Sequence, residues 1–196
     1  MNLVAITGGI GSGKTHFAKL FQNLGIPVFF ADDQAKALMQ NATLLKAKII
    51  DVFGKMSYKN GELNRPYLAN LVFNDKTNLT KLNKIVHPAV KAHFKNWLLM
   101  QKSDYIIYEN AILFETNTAA DFDFIICVTA DLETRINRII KRDGSTRQQA
   151  LSRIENQIDD NERIKKSDLV VYNNSDENLN KEVLKIHQSL LKLFAK

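Results

Sequence analysis

A glycine-rich stretch near the start of the chain constrains the fold more than any other feature. The segment Gly8-Gly9-Ile10-Gly11-Ser12-Gly13-Lys14-Thr15 fits the pattern G-x-x-x-x-G-K-[ST]. It follows an apolar, β-type stretch and precedes a helical one. In such a loop the backbone N–H groups face a phosphate, which the positive end of the following helix also attracts. The alternative, a glycine-rich turn that fits the pattern by chance, is disfavoured by the flanking strand and helix.

The loop predicts a site for a nucleoside triphosphate and a metal ion. Lys14 is expected to reach the β- and γ-phosphates, and the Thr15 hydroxyl is expected to ligate Mg²⁺. We therefore expect contacts to the triphosphate from Gly8, Gly9, Ile10, Gly11, Ser12, Gly13, Lys14 and Thr15. The pattern alone does not say which molecule receives the phosphate.

Five short apolar segments predict the strands of a five-stranded parallel sheet: residues 3–7, 26–30, 105–109, 124–129 and 169–172. They are continuously apolar rather than alternating, which is typical of strands buried on both faces. Helices are expected over residues 14–24, 132–141 and 180–194. This order of elements indicates an α/β fold with helices on both faces of the sheet.

Two segments interrupt the alternation. Residues 32–102 are mostly helical apart from a polar turn at Lys59-Asn60-Gly61, and they are too long for a crossover, so we predict a helical insertion. Residues 135–166 hold two charged helical stretches, with a serine or threonine at 145–146 and a glutamine at 148–149 forming a capping box for the second. Such a basic helical pair could serve as a lid. We assign residues 1–33, 103–134 and 167–196 to the core, 34–102 to the insertion and 135–166 to the lid.

Composition and charge bear on disulfide bonding, membrane insertion and nucleic-acid binding. A single cysteine, Cys127, allows no internal disulfide and lies in an apolar run that predicts its burial. Without a leader-type N-terminus or an apolar run of membrane-spanning length, we expect a cytoplasmic protein. The net charge of +6 fits either a solvated lysine-rich surface or attraction for a polyanion. The basic residues are not interleaved with aromatic ones in one block, so nucleic-acid binding is the weaker interpretation.

Three acidic residues are candidates for a catalytic base or a metal contact. Asp32 follows the second predicted strand, at the sheet edge where open α/β folds bind ligands. It could accept a proton and help to hold Mg²⁺, or it could be the N-cap of a helix that begins near Asp33. For Glu109 and Glu115, position alone favours ordinary charges at a loop or first helical turn.

Arginines in the predicted lid carry more weight as a set. Arg135, Arg138 and Arg142 follow i, i+3, i+7 spacing, which places them on one helical face, and Arg147 and Arg153 come next. The planar guanidinium can bind phosphate oxygens in a bidentate way while it stays charged. The alternative is a solvated basic face. A closing lid would exclude water and so limit wasteful hydrolysis.

A regulatory GTPase is a second class of protein that uses this loop. Asp51-Val52-Phe53-Gly54 matches the D-x-x-G pattern of such switches, but it follows a helical stretch rather than a strand. The guanine-reading N-K-x-D pattern is missing, because Asn83-Lys84-Ile85-Val86 lacks the aspartate. We treat both matches as coincidences.

Motifs along nearly the whole chain resemble those of the dephospho-CoA kinase family. Besides the phosphate loop, the motifs are Gly61-Glu62-Leu63-Asn64-Arg65-Pro66-Tyr67-Leu68 with Val72-Phe73, Leu82-Asn83-Lys84-Ile85-Val86-His87-Pro88, Ile112-Leu113-Phe114-Glu115, and the lid residues Arg138, Arg142-Asp143, Thr146, Arg153 and Gln157. They are similar to the family's G-x-L-x-R-x-x-L…(V)F, L-N-x-x-x-H-P, L-L-F-E and lid patterns. The loop is common to many enzymes, whereas the combination is specific.

The resemblance implies ATP-dependent phosphorylation of the ribose 3′-hydroxyl of dephospho-coenzyme A, the last step in making coenzyme A. It implies a nucleotide-kinase-like core, a helical domain for the CoA moiety and a mobile lid. Mg²⁺ would act with ATP as co-substrate. The expected partners are ATP and dephospho-CoA, with no nucleic acid and no membrane, while the oligomeric state stays open.

The resemblance also assigns roles to residues. Ala31-Asp32 matches the second half of the family's D-A-D motif, which favours Asp32 over Asp33 as the base. The implied roles are catalysis for Lys14, Asp32, Arg138 and Arg142, further ATP contacts for His16 and Arg142, and acceptor binding for Asp32, Arg65, His87, Glu115 and Arg153. From the residues alone, His87-Pro88 would instead predict a turn before a helix.

Three positions depart from the family pattern. Phe30 replaces the first aspartate of D-A-D, so any metal or water contact made there is lost or supplied elsewhere. Ala111 stands where the family usually has proline, and His16 stands where a threonine is common. None of these changes removes a group that the reaction needs if Asp32 is the base.

Three other functions fit part of the pattern. They are a P-loop kinase with a different small acceptor, an NTPase stimulated by nucleic acid, and a nucleotide-sensing switch. A nucleic-acid-dependent NTPase would bind with a steep salt dependence. A switch would hold nucleotide tightly and release no ADP in response to an acceptor.

Overall fold

In the computed structural model of this protein, parallel β-strands form the centre of the larger of two units. The structure describes residues 1–73, 75–175 and 178–195. Residues 74, 176, 177 and 196, which belong to the predicted insertion and core, lie outside the described residues. The chain divides into two units, Met1–Phe30 with Lys102–Lys196, and Ala31–Gln101.

The strands are, in chain order, β1 (Asn2–Thr7), β2 (Val28–Phe30), β3 (Tyr58–Lys59), β4 (Glu62–Leu63), β5 (Tyr105–Glu109), β6 (Phe124–Thr129) and β7 (Leu169–Tyr172). The helices are α1 (Lys14–Asn23), α2 (Ala31–Asn41), α3 (Thr43–Phe53), α4 (Arg65–Phe73), α5 (Lys76–Leu99), α6 (Leu132–Asp143), α7 (Arg147–Glu155), α8 (Asp160–Lys165) and α9 (Leu179–Phe194). Short 3₁₀ turns occur at Lys55–Ser57 and Ala119–Asp121.

The first unit contains a five-stranded sheet in the order β2-β5-β1-β6-β7, with every neighbouring pair parallel. The prediction of a five-stranded parallel sheet is confirmed. Strand β2 begins two residues later than predicted because Pro27 has no N–H to donate to the ladder. Its carbonyl still accepts a hydrogen bond from Ile107 N at 2.9 Å.

The sheet is buried on both faces. On one face Val4 and Ile6 of β1 pack with α1 and α9 in the main apolar cluster, whereas Ala5 packs on the other with Leu113 and Ile125. This alternation follows from the two-residue period of a strand. Cys127 on β6 is buried as predicted, and burial raises the pKa of its thiol to about 11.

The segment predicted as a lid, residues 135–166, holds most of α6 and all of α7 and α8, whereas two helical stretches were predicted. Thr146 is the N-cap of α7, and its hydroxyl accepts a hydrogen bond from Gln149 N at 3.3 Å. In return, Gln149 Oε1 accepts from Thr146 N at 2.9 Å, which completes the predicted capping box. Helix α8, only six residues long, follows α7 and was missed.

The second unit is mainly helical, with α5 contacting α2, α3 and α4. Its predicted polar turn is the two-residue connection of a short antiparallel hairpin, β3–β4, which the sequence did not predict. Asn60 and Gly61 have φ of 53° and 85°, the left-handed pair that tight hairpins require.

The prediction of a turn at His87-Pro88 is wrong, because both residues lie inside α5. The proline removes one backbone donor, yet the helix continues, with the neighbouring Val86 and Val90 each only 5% exposed. Among the described residues, no helix is both long and apolar enough to cross a membrane.

Candidate active site

The glycine-rich loop connects β1 to α1, as its pattern predicted. Helix α1 begins at Lys14, directly after Gly13, whose φ of 88° lies in the left-handed region. A β-carbon at Gly13 would also lie 2.1 Å from Asn173 Nδ2, so only glycine fits there. The first turn of α1 therefore presents its N–H groups at the end of the loop, an arrangement that suits an anion.

Glu109 lies beside the loop residues Lys14 and Thr15. Glu109 as a whole is only 2% exposed, and its carboxylate accepts a hydrogen bond from Thr15 Oγ1 at 2.8 Å. The same oxygen is 3.8 Å from Lys14 Nζ. The interpretation of Glu109 as an ordinary loop charge is wrong, because β5 pairs with β1 and brings this carboxylate to the loop.

An open cleft of about 170 Å³ lies over the loop and the adjoining face of α6. It is lined by Gly11, Gly13, Lys14, Thr15, Arg138, Ile139 and Arg142. Three of these side chains are cationic. Together with the start of α1, they make the cleft suited to a polyphosphate.

Arg138 connects α6 to the loop and to the end of β7. Its Nη1 donates to the carbonyl of Asn173 at 2.8 Å and to that of Ser12 at 3.3 Å. Asn173 Nδ2 donates to the same Ser12 carbonyl at 2.9 Å. Sequence reasoning missed Asn173, although its place directly after the last strand, at the ligand-binding edge of the sheet, was a usable signal.

Arg142 and Arg153 share one carboxylate. Arg142 donates to Asp143 through Nε at 2.7 Å and Nη2 at 2.9 Å, and Arg153 Nη1 donates to Asp143 at 2.6 Å. The hydrogen bond from Arg142 lowers the pKa of Asp143. Of these two arginines, Arg142 lines the cleft.

Two of the five lid arginines are committed to other partners. Arg135 is buried and donates through Nε to the carbonyl of Ile10 at 2.9 Å, on the protein side of the loop. It also bonds to Asp160, so its charge is committed within the fold. Arg147 forms a bidentate pair with Glu133 at 2.6 and 2.7 Å.

Other predicted residues of this unit lie at its surface or bond elsewhere. His16 is exposed on α1. Glu115 accepts from Ile158 N at 3.3 Å and lies 3.6 Å from Arg163 Nη2. The N–H of Ile10, expected to contact ATP, donates to Gln157 Oε1 at 2.7 Å.

Three predicted residues belong to the second unit. Asp32 is exposed and is the second residue of α2, which begins at Ala31 rather than near Asp33. It is therefore not the N-cap of that helix, and the capping alternative is wrong. Arg65 is exposed in the first turn of α4. His87 is half-buried within α5, and burial lowers the pKa of its imidazole.

The residues around the loop can contribute oxygen ligands to a metal. Within the described part of the chain, no cluster of three His, Cys, Asp or Glu side chains could hold an ion by itself. Mg²⁺ is usually bound through one or two protein groups together with phosphate oxygens and water. The hydroxyl of Thr15 and the carboxylate of Glu109 are hard oxygen donors of this kind, so they fit Mg²⁺.

Comparisons with known proteins show which family the chain resembles. A family model described as dephospho-CoA kinase (CoaE) matches residues 2–178. The dephospho-CoA kinase of Fusobacterium nucleatum is 38% identical over 92% of this chain and 94% of its own. The structure of TT1252 from Thermus thermophilus is 30% identical, with a TM-score of 0.84 and 97% of each chain covered. The dephospho-CoA kinase structure from Campylobacter jejuni is 26% identical, with a TM-score of 0.71 over 97% of this chain and 98% of its own.

Proposed function

This chain belongs to the dephospho-CoA kinase family, and on that premise we propose how its residues carry out the reaction. The resemblance found in the motifs is thus confirmed. The family catalyses the final ATP-dependent step of coenzyme A biosynthesis, with ATP and dephospho-CoA as substrates. The γ-phosphoryl group passes to the ribose 3′-hydroxyl, giving coenzyme A and ADP.

The contact of Glu109 with both Lys14 and Thr15 carries the proposal. Lys14 and the loop amides bind the triphosphate, and the positive start of α1 adds to their attraction. When bound, Mg²⁺ would neutralise phosphate charge during transfer. Thr15 would ligate it through its hydroxyl oxygen, while the hydroxyl proton is donated in a hydrogen bond to Glu109 at 2.8 Å.

Arg138 and Arg142 stabilise charge on the transferring group. Both line the cleft that Lys14 and Thr15 enter. Arg138 is held by carbonyl oxygens of Ser12 and Asn173, so it adds its charge to the cleft from a fixed position. Positioned donors of this type are typically worth about 10²–10³ in kcat.

Asp32 accepts the proton of the acceptor hydroxyl. The assignment is supported by its match to the second aspartate of D-A-D and by its exposed carboxylate in the first turn of α2. Arg65 and His87 would bind the acceptor, together with Glu115 and Arg153. Phe30 packs against the apolar core, and its phenyl ring has no atom that could ligate a metal.

The substitution Asp32→Asn tests directly whether Asp32 is the catalytic base, and Asp33→Asn is its matched control. Both aspartates are exposed in the first turn of α2, and Asp33 pairs with Lys36 at 2.9 Å. A positioned base contributes about 10²–10⁴ in rate. We expect Asp32→Asn to lower kcat with dephospho-CoA by that factor and Asp33→Asn to leave it within about twofold, because this carboxylate is a surface charge. Retained turnover in Asp32→Asn would overturn the assignment.

A further inference from the structure

Ile10, in the phosphate loop, is held on both sides of its backbone. Its N–H donates to Gln157 Oε1 at 2.7 Å, and its carbonyl accepts from Arg135 Nε at 2.9 Å. Its side chain packs against an apolar cluster of α6 and α7 that includes Ile136 and Ala150. One loop residue is therefore fixed by three separate contacts with the segment that follows β6.

The Arg135 contact is buried and involves a charged group. This residue is 2% exposed, and its guanidinium bonds to Asp160, which also accepts from Arg163 Nη1 at 2.5 Å. A β-carbon at Gly9 would lie 2.3 Å from Arg135 Nη2, so the loop lies directly against the guanidinium. Burial and pairing with Asp160 therefore restrict Arg135 to its place beside the loop.

The Gln157 contact is of a different kind. Gln157 follows the end of α7, beyond its C-cap, and reaches Ile10 through a single neutral hydrogen bond. Arg135 lies near the start of α6, so the two residues flank the helical pair that carries Arg138, Arg142 and Arg153. Both ends of this helical pair thus meet the phosphate loop at the same residue.

We propose that Gln157 is a positioning residue for ATP. Its carboxamide holds the Ile10 peptide so that the neighbouring amides stay turned toward the cleft. Because the Ile10 N–H is satisfied by Gln157, this amide is a support of the loop and not one of its phosphate donors. The apparent affinity for ATP scales with the fraction of molecules whose loop is already in the binding conformation. Without Gln157 that fraction falls, since a partly buried N–H loses its acceptor and the loop gains other conformations.

The proposal rests on ATP binding at the loop, as in the proposed function, but its main test, the Kd for Mg-ATP, does not need the acceptor. Gln157→Met retains length and removes the acceptor oxygen, while Gln148→Met alters an exposed glutamine of α7 as a matched control. Calorimetric titration with Mg-ATP should give a Kd raised about tenfold in Gln157→Met, in line with the loss of one partly buried hydrogen bond. Gln148→Met should match the wild type. The KM for dephospho-CoA should stay within about twofold in both variants, because the Ile10 contact does not involve the acceptor.

Hydrogen exchange at the Ile10 amide distinguishes loss of this one contact from a change in folding elsewhere in the protein. We expect faster exchange of this amide in Gln157→Met without a general loss of protection. If that variant does not fold, Gln157→Asn, whose carboxamide is one methylene too short to reach, replaces it. A folded variant with unchanged Kd for ATP and unchanged Ile10 exchange would overturn the proposal. If the wild type binds ATP but does not phosphorylate dephospho-CoA, the function proposed above fails while this comparison still decides the role of Gln157.

Discussion

Replacing Glu109 by glutamine separates its charge from its shape. The carboxylate accepts a hydrogen bond from Thr15 Oγ1 at 2.8 Å and lies 3.8 Å from Lys14 Nζ. Glutamine has nearly the same volume and can still accept the hydrogen bond from Thr15. It removes the negative charge that lies beside Lys14 and that would help to hold Mg²⁺.

The geometry sets the size of the effect. At 3.8 Å and an effective dielectric constant of about 20, the attraction between Glu109 and Lys14 is about 4 kcal/mol. Glu109→Gln leaves the largely buried Lys14 without its partner, so we expect the unfolding free energy to fall by about 3 kcal/mol. Loss of a group that orients a metal ligand typically reduces metal affinity by about 10–100-fold. We therefore expect the half-saturating Mg²⁺ concentration to rise at least about tenfold.

The affinity for ATP without metal should change in the opposite direction. Once Glu109 is neutral, Lys14 loses a competitor of the phosphates, so the Kd for ATP in EDTA should stay the same or fall. Initial rates across a Mg²⁺ series give the first quantity, and calorimetry in EDTA gives the second. Glu182→Gln on α9 is the control, remote from the loop in sequence. An unchanged Mg²⁺ dependence, or a raised Kd for ATP in EDTA, would refute the reasoning.

Three further predictions concern the loop, the lid and the second unit. Gly9→Ala places a β-carbon 2.3 Å from Arg135 Nη2, so urea denaturation should show a loss of about 2 kcal/mol. Asp143→Asn releases Arg142 from an exposed pair, so stability should change by less than about 1 kcal/mol. Because the released Arg142 lines the cleft and no longer faces a competing carboxylate, steady-state kinetics should show a KM for ATP that is unchanged or lower. Burial lowers the pKa of the His87 imidazole, so as the pH falls the unfolded chain takes up this proton at a higher pH than the folded protein does. The free energy of unfolding, measured by urea denaturation, should therefore fall as the pH drops through the ordinary pKa of histidine. This fall should be smaller in His87→Gln.

The strands of the sheet could be predicted because each is a continuous apolar run, which can be identified from its own residues without knowing which strands lie beside it. The capping box at Thr146 and Gln149 was readable for the same reason, since it depends on residues three apart. The β3–β4 hairpin was missed because strands of two residues show no alternation. The six-residue helix α8 is likewise too short to show a helical period.

Only those parts of the site that depend on residues close together in the sequence could be predicted. The loop pattern identified Lys14 and Thr15, but the role of Glu109 depends on the order of strands, which puts β5 beside β1. Helical spacing placed Arg135 and Arg138 on a common surface without indicating what packs against it. The structure places Arg135 under the loop because Asp160, 25 residues later, supplies a partner there.

Acceptor-dependent release of ADP tests the central claim most directly. The rate would be measured with Mg-ATP and a panel of acceptors that includes dephospho-CoA, nucleosides and small polyols, and the product would be examined by ³¹P NMR. We predict stimulation by dephospho-CoA alone and a new phosphate monoester on the ribose 3′-oxygen. No stimulation by dephospho-CoA, or transfer to a different oxygen, would contradict the assignment of this site to 3′-phosphorylation.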